Sequence, residues 1–343
     1  MAAKKRVGII GASGYTGVEL LRLCAQHPDV ELVLATGDSQ AGTLATNLYS
    51  SLATVYPNLV FSAFDADACD GLDAVFLGVP HEAALDLAPQ LVGKVGVVVD
   101  LSAAYRLKDA SLYPTWYGFE HTQPDLLARA VYGLPELNRS ELKGADLIAT
   151  PGCHVTAASL VLAPLVEAGL IDPTGVIVNS ITGVSGAGRV PKNNNLFCTV
   201  NEDVLAYGLL DHRHTPEIEQ VTGAQVLFTP HLAPMNRGIL ATCYARPAAG
   251  KSVSTSSLLA QLARRYKGEP FISVRSDSPS TKATLGSNSA QLSARYDQRT
   301  NTVLLLCAID NLAKGASGGA MQAMNVAFGL TETAGLTAVG LFP

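Results

Sequence analysis

One cysteine stands where a thiol becomes nucleophilic. Cys153 follows an apolar run, 146–150, and a Pro-Gly pair, and a helical pattern over 153–168 begins at it. The dipole and free N–H groups of a helix N-terminus lower a thiol pKa, and the same groups can hold an oxyanion. Cys153 is therefore a candidate covalent nucleophile, although a cysteine so placed, taken alone, is more often a packing residue.

Two histidines, His212 and His214, stand two residues apart before a Thr-Pro-Glu segment. If Cys153 carries an acyl group as a thioester, the reduction of that thioester must deliver a proton to the oxygen. One of the two histidines is therefore a candidate general acid/base. A metal site is not expected, since no cysteine or carboxylate partner has the spacing of a structural zinc site. The alternative is that both are polar surface residues before a helix capped by Thr215.

A glycine-rich segment separates the first predicted strand from the first predicted helix. Glycines let the backbone turn tightly and approach a pyrophosphate, whose charge the N–H groups and the helix dipole hold. The candidate cofactor-binding residues of this segment are Gly11, Ser13, Gly14, Tyr15, Thr16 and Gly17. A plain strand-to-helix turn is the alternative, and the flanking elements favour the cofactor.

Three arginines, Arg106, Arg189 and Arg237, lie in apolar or glycine-rich settings. Planar bidentate donors of this kind suit an acidic, phosphorylated substrate. Any one of them alone is more commonly part of a surface ion pair.

Short apolar runs alternate with helical patterns over the first 150 residues. The predicted strands are 6–10, 30–35, 73–77 and 95–101, and the predicted helices are 15–27 and 82–91. This rhythm predicts an α/β domain over 1–150, a Rossmann-type doubly wound parallel sheet.

Strands outnumber helices after residue 150. The predicted strands are 176–180, 226–229, 238–246, 271–274, 291–296 and 302–310, and the predicted helices are 153–168 and 316–328. An α+β catalytic domain with a mixed sheet is expected over 151–315, with an active site across the junction of the two domains.

The composition excludes several classes of protein. The chain has 343 residues, of which 48% are hydrophobic, and a net charge of −5. This mild acidity argues against a nucleic-acid or membrane-surface binder. The six cysteines form no CxxC pair, and no apolar run reaches the length of a membrane span, so a soluble, cytoplasmic protein is expected.

The chain resembles the N-acetyl-gamma-glutamyl-phosphate reductase family from Val7 to about Leu330. Ordered blocks carry the resemblance: the glycine segment, 80–81, 132–138, 151–153, 183–189, 212–218, 230–238 and 310–316. The nearest alternative is aspartate-semialdehyde dehydrogenase, which shares fold and chemistry, and the block 212–217 favours the glutamyl enzyme. A catalytically dead NADP-binding regulator is a further alternative, against which the intact Cys153 and His212 argue.

The resemblance implies a homodimer or homotetramer in which the C-terminal segment, about 316–343, packs back on the first domain. It also implies the NADPH-dependent reduction of N-acetylglutamyl 5-phosphate to the semialdehyde, in arginine biosynthesis. The implied roles are Cys153 as nucleophile, His212 as acid/base, Arg106, Arg189 and Glu217 as substrate-binding residues, and Ser39 and Asn311 as cofactor-binding residues.

This chain departs from the usual family pattern at several places: directly after the nucleophile, at 102–104, at 180–182 and in the loop after the second predicted strand. His154 and Val155 follow the nucleophile where the family usually has Tyr-Pro, and the His154 ring is expected to face away from the substrate side. Asp38 stands where a basic residue usually selects NADP. If it points at the ribose, NAD should compete well; if it points to solvent, Ser39 and backbone N–H groups can hold the 2′-phosphate, and this second arrangement is favoured.

Overall fold

The computed structural model describes residues 3–342 and divides the chain into two units. The first unit runs through Pro151 and includes Ala316–Thr337; the second comprises Gly152–Gly315 and the chain from Ala338 onward. The strands are β1 Lys5–Ile10, β2 Val30–Ala35, β3 Ala74–Leu77, β4 Val97–Asp100, β5 Val131–Tyr132, β6 Leu147–Ala149, β7 Val176–Gly183, β8 Leu205–Ala206, β9 Val226–Ala233, β10 Ile239–Ala245, β11 Ile272–Val274, β12 Ala290–Asp297 and β13 Thr302–Ile309.

The α-helices vary from single turns to fifteen residues. They are α1 Tyr15–Gln26, α2 Ala45–Leu48, α3 His81–Leu91, α4 Tyr113–Tyr117, α5 Pro124–Arg129, α6 Pro135–Leu142, α7 Cys153–Glu167, α8 Phe197–Val200, α9 Thr215–Thr222, α10 Thr255–Arg265, α11 Thr281–Thr284 and α12 Gly318–Phe328. Within the described residues 3–342, no helix is both long and apolar enough to cross a membrane.

The first unit is built on a parallel sheet with strand order β2-β1-β3-β4-β6-β5. Strands β3 and β4 consist almost entirely of small and branched apolar residues, and every residue in them is buried, as in a sheet covered on both faces. Strand order reverses at β1, which lies between β2 and β3. The prediction of a Rossmann-type parallel sheet is confirmed.

The second unit contains a mixed sheet with strand order β11-β12-β13-β10-β7-β9-β8. Helix α7 contacts its central strands β10 and β13, and it is buried along almost its whole length because it is apolar on every side. The predicted mixed sheet is confirmed, and the helix that packs on it, α7, begins at Cys153.

Some elements depart from the sequence-based prediction. β7 and β9 continue to Gly183 and Ala233, because the parallel ladder between them extends into segments that looked like glycine- and proline-rich loops. Helix α10 was not predicted, although Ser254 caps it. The chain after Ala338, assigned to the first domain by resemblance, belongs to the second unit, where the Leu341 N–H donates to the Leu285 oxygen at 2.9 Å.

Candidate active site

The glycine segment of the first unit forms a tight turn between β1 and α1. Gly11 has φ +85°, and a Cβ there would lie 2.4 Å from the Gly78 oxygen; a Cβ on Gly17 would lie 2.4 Å from the Gly11 oxygen. A Cβ on Gly14, by contrast, would lie 3.6 Å from the Gly11 oxygen, an ordinary van der Waals contact, and no side chain caps α1. The turn therefore leaves the N-terminus of α1 open to an anionic ligand.

This turn lies at the carboxyl end of β1, where the strand order reverses, and open parallel sheets bind ligands at such a point. The Ser13 hydroxyl donates to the Gly37 oxygen at 3.3 Å, and Tyr49 donates to the Ser13 oxygen at 2.8 Å. The Thr16 oxygen accepts from the Ser317 hydroxyl at 2.8 Å. These bonds fix the turn, and Tyr15 remains half-buried at its edge.

Asp38 and Ser39 follow β2 in a short helical turn, and both are exposed. Asp38 has φ +44°, the left-handed region that an aspartate tolerates better than most residues. Its backbone oxygen accepts from the Ala41 N–H at 2.9 Å, which stabilises the turn. The carboxylate is thus open to solvent at the edge of the first unit.

Cys153 is the first residue of α7 and is half-buried. The preceding Gly152 adjoins the His214 ring so closely that a Cβ there would lie 2.3 Å from Nε2. A Cβ on Gly315 would lie 2.8 Å from the Cys153 Cβ. Two glycines therefore allow the nucleophile candidate to sit in a narrow gap at the helix N-terminus.

His212 has one ring nitrogen committed to the backbone. The His214 N–H donates to His212 Nδ1 at 3.1 Å, so in the neutral ring the proton is on Nε2. Burial, with a smaller contribution from the charge of Arg213, lowers the His212 pKa to about 4. At neutral pH, His212 therefore offers an Nε2–H donor.

The second histidine, His214, is buried rather than exposed, and it precedes α9 as the N-cap residue without a side-chain cap bond. The surface alternative is therefore wrong for His214, and Thr215 is the first residue of α9 instead of its cap. The rings of His212 and His214 are 4.7 Å apart, which makes them members of one cluster.

His154 is buried inside the same cluster, with 2% of its surface exposed. Its ring centroid lies 6.0 Å from that of His212 and 5.7 Å from that of His214. Burial, and then the charge of His212, lowers its pKa to about 3. The His154 ring is shielded from solvent, and it lies close to His212, the candidate acid/base.

Glu217 is fully buried and one of its oxygens, Oε1, accepts from the Gly152 N–H at 2.9 Å. This hydrogen bond connects α9 to Gly152, the residue immediately before Cys153. The substrate-binding role of Glu217 stays a prediction, and its observed contact orients the backbone directly before Cys153.

Two of the candidate arginines are used by the protein's own backbone or carboxylates. Arg106 is buried, and its Nε and Nη2 donate to the oxygens of Thr150 at 2.7 Å and Leu101 at 2.9 Å. Arg237 pairs with the buried Asp310, with 3.1 Å between Nε and Oδ2. Both contacts stabilise loops at the ends of strands.

Arg189 and Asn311 lie in the second unit with different environments. Arg189 is half-exposed in the loop after β7, where a guanidinium can reach an incoming anion. Asn311 is buried; its Oδ1 accepts from the Gly238 N–H at 2.7 Å and its Nδ2 donates to Ser185 at 2.9 Å. The cofactor-binding role of Asn311 stays a prediction, and its contacts hold the loop that carries Arg189.

One residue of the cluster was missed in the sequence. The Tyr207 hydroxyl lies 3.1 Å from His154 Nε2, and its ring centroid is 5.5 Å from that of His212. Tyr207 follows the two-residue strand β8 in a segment without periodicity. Only its position five residues before His212 could have drawn attention to it.

The buried rings of His154 and His212 make the free energy of unfolding depend on pH. Below pH 6.5, the ordinary histidine value, an unfolded chain protonates His154 and His212, whereas the folded chain keeps them neutral down to about 3 and about 4. The stability they confer is therefore complete above pH 6.5 and is lost as the pH falls, by about 1.4 kcal/mol per pH unit for each ring.

We expect denaturant titrations at pH 7, 6 and 5 to show this loss, and His212→Asn to reduce its slope by about one proton. An unchanged slope in that variant would show that His212 titrates normally in the folded protein.

Solved structures share this fold over nearly the whole chain. Aspartate semialdehyde dehydrogenase II from Vibrio cholerae, complexed with ASA, aligns with a TM-score of 0.70 at 16% identity, covering 95% of this chain and 98% of that one. Aspartate semialdehyde dehydrogenase with NADP from Candida albicans aligns with a TM-score of 0.69 at 16% identity, covering 94% and 100%.

Two family models divide the chain in the same way. "Semialdehyde dehydrogenase, NAD binding domain" matches residues 6–145, and "Semialdehyde dehydrogenase, dimerisation domain" matches residues 153–311. Fold and matches together define the semialdehyde dehydrogenase class, and the first unit contains the dinucleotide-binding domain of that class.

Curated relatives narrow this class. The N-acetyl-gamma-glutamyl-phosphate reductase of Magnetococcus marinus is 43% identical over the full length of both chains. That of Desulforudis audaxviator is 46% identical, covering 98% of this chain and 99% of the relative. The chain belongs to the N-acetyl-gamma-glutamyl-phosphate reductase family, and the resemblance stated from its sequence motifs is confirmed.

Proposed function

We propose that the protein reduces N-acetylglutamyl 5-phosphate to N-acetylglutamate 5-semialdehyde and phosphate, with NADPH, in arginine biosynthesis. The observation that carries this proposal is the placement of Cys153 as the first residue of α7, in a unit where histidines cluster around that helix end. A nucleophile at a helix N-terminus is suited to acyl transfer.

In the proposed reaction, the Cys153 thiolate attacks the acyl carbon and phosphate leaves, so that a thioester forms. The acyl group remains anchored at α7, which divides one difficult displacement into two easier steps. His212 Nε2–H donates to the acyl oxygen as negative charge develops there. The thiohemiacetal oxyanion, stabilised by the His212 hydrogen bond, collapses directly to the aldehyde and restores the thiolate, so this step needs no net proton transfer. Glu217 keeps the Gly152 backbone in position throughout.

The first unit would hold the cofactor on the turn of Gly11, Gly14 and Gly17, with the pyrophosphate at the N-terminus of α1. When bound, NADPH supplies the hydride that reduces the thioester. The N-terminus of α1, which no side chain caps, fits an anionic group there. Arg189 is the best-placed candidate for the substrate's negative groups, because Arg106 already holds two backbone oxygens.

The direct test is an assay of the reverse reaction. Purified protein is incubated with N-acetylglutamate semialdehyde, phosphate and NADP, and NADPH formation is followed by absorbance. We expect turnover that requires phosphate. Aspartate semialdehyde, assayed in parallel, should be the poorer substrate; its preference would favour the alternative dehydrogenase, and inactivity on both aldehydes would favour a non-catalytic role.

The cofactor preference depends on Asp38. We infer that NADPH exceeds NADH in kcat/KM, because Asp38 is exposed and Ser39 and the neighbouring backbone can bond the 2′-phosphate. Asp38→Arg should raise the preference for NADPH by roughly 10-fold or more, since it adds a charge-assisted bond to that phosphate.

Glu31→Arg is the matched control for this change. Glu31 is exposed on β2, so the substitution alters net charge equally without entering the loop. It should leave the preference unchanged. An NADH value equal to or above that of NADPH in the unmodified protein would show that Asp38 bonds the ribose instead.

We also propose a homodimer or homotetramer formed in the cytoplasm. One face of the second sheet leaves apolar side chains exposed on adjacent strands: Ile177, Ile181, Leu227 and Tyr244. An apolar patch of this kind is typical of an interface, and all six cysteines are free, which suits a reducing compartment. Sedimentation at micromolar concentration should give an oligomer, and a monomer would contradict this assembly.

A further inference from the structure

Three side chains of the second unit, those of Ser180, His154 and Tyr207, are connected by hydrogen bonds next to Cys153 in the sequence. Ser180 Oγ lies 2.7 Å from His154 Nδ1, and His154 Nε2 lies 3.1 Å from the Tyr207 hydroxyl. Ser180 and His154 are buried, with 0% and 2% of their surfaces exposed. Buried polar groups of this kind need partners, and here they find them in each other.

Burial determines the direction of these bonds. The Ser180 hydroxyl has the His154 ring as its only hydrogen-bond partner among the described residues, so its proton goes to Nδ1. With Nδ1 accepting, the neutral ring carries its own proton on Nε2 and donates it to the Tyr207 oxygen. The hydrogen of the Tyr207 hydroxyl is then directed away from His154.

Tyr207 stands beside the proposed reacting groups. Its ring meets the edge of the His212 ring at 5.5 Å, and its backbone N–H donates to the Pro230 oxygen at 3.1 Å, which fixes the residue on β9. Burial raises the pKa of Tyr207, and the charge of Cys153 raises it further. The phenol therefore keeps its proton at neutral pH, and it is hydrogen-bonded to His154, the residue that directly follows Cys153 in the chain.

We propose that Tyr207 is a catalytic hydrogen-bond donor to the acyl oxygen on Cys153, oriented by the positioning residues His154 and Ser180. A donor already aimed at the oxygen stabilises the oxyanion that develops when the carbonyl carbon becomes tetrahedral. Tyr207 keeps its proton throughout and acts by hydrogen bonding alone, beside the Nε2–H donor of His212. The inference rests on the proposed cysteine chemistry but not on the identity of the acyl phosphate.

p-Nitrophenyl acetate tests the role of Tyr207 separately from the identity of the natural substrate, because its reaction needs only a nucleophile and an oxyanion donor. The Cys153 thiolate attacks the ester carbonyl, the bond to the aryl oxygen breaks, and p-nitrophenolate leaves with one acetyl group left on sulfur. The burst of p-nitrophenolate measures this acylation without cofactor or natural substrate. Cys153→Ser should abolish the burst, which would locate the signal at this residue.

We expect Tyr207→Phe to slow acylation by roughly 10- to 100-fold, less than the roughly 10²- to 10³-fold loss typical of a principal oxyanion donor, because the His212 donor remains. Ser180→Ala should slow it by a smaller factor, roughly 3- to 10-fold, because the His154 ring can then accept the Tyr207 proton and draw it away from the acyl oxygen. In the Tyr207→Phe background, Ser180→Ala should have no further effect, since Ser180 acts only through Tyr207.

Ser159→Ala is the matched control. Ser159 is equally buried and lies on the same helix as His154, but its hydroxyl has no partner among the described residues, so its removal should leave the burst unchanged. Thermal melting and NADP titration would show that each variant is folded. Three results would overturn the proposal: a wild-type acylation rate in Tyr207→Phe, an equal Ser180→Ala effect in both backgrounds, or no burst in the unmodified protein. Failure to oxidise N-acetylglutamate semialdehyde, with a normal burst, would count only against the proposed function.

Discussion

Cys153→Ser should lower kcat by roughly 10³-fold or more while leaving NADP binding intact. A serine hydroxyl at the N-terminus of α7 stays protonated under conditions in which a thiol there can ionise, so the covalent step is lost. The smaller oxygen also fits the gap beside Gly315, so the fold should not be disturbed. Steady-state rates and a cofactor titration on the same preparation would separate the two effects.

Cys198→Ser is the control for this substitution. Cys198 is exposed, and it lies on the single-turn helix α8, away from the histidine cluster in the sequence and outside the proposed chemistry. Its loss should leave kcat near the wild-type value. A largely active Cys153→Ser variant would remove Cys153 from the mechanism.

His212→Asn should lower kcat by roughly 10²-fold or more. The asparagine oxygen can still accept from the His214 N–H at the place of Nδ1, so the backbone before α9 is retained while the Nε2–H donor is lost. The expected loss therefore reports the missing donor rather than a rearranged loop. Substrate KM should change less than kcat, because the oxygen gains negative charge only as the reaction proceeds.

His212→Gln offers the matched comparison. Its longer amide places an N–H near the position of Nε2, but on a more flexible side chain and as a weaker hydrogen-bond donor, so its rate should lie between those of wild type and His212→Asn. A His212→Asn rate within a few-fold of wild type would contradict the role of His212, and it would leave His214 or Tyr207 as the candidate donor.

Local sequence patterns predicted the first four strands of the first unit well, because each is a short apolar run between recognisable turns, whereas the two-residue strand β5 was not predicted. β2 begins and ends as predicted, and β1 and α3 differ from the prediction by one residue at one end. The second unit was harder, since its sheet is formed by pairing between distant strands. The ladder of β7 with β9, which extends both strands, cannot be seen in either segment alone.

The features of the candidate site likewise fall into those that local sequence could predict and those that depend on distant partners. The helix start at Cys153 and the glycine turn were predictable, because the physics that defines them is local: a helix N-terminus and a backbone that allows no Cβ at Gly11 or Gly17. The contacts of Arg106 and Glu217 were not, because a buried charge is defined by partners 44 and 65 residues away in sequence. Tyr207 likewise acquires its position only through His154.

The central claim is that an acyl group is carried on Cys153, and peptide mass spectrometry tests it most directly. The protein is incubated with N-acetylglutamyl 5-phosphate without NADPH, quenched in acid and digested. We expect an N-acetylglutamyl mass on the peptide that contains Cys153, absent in Cys153→Ser and removed by adding NADPH. An adduct on the exposed Cys198 instead, or turnover without any adduct on Cys153, would contradict the account.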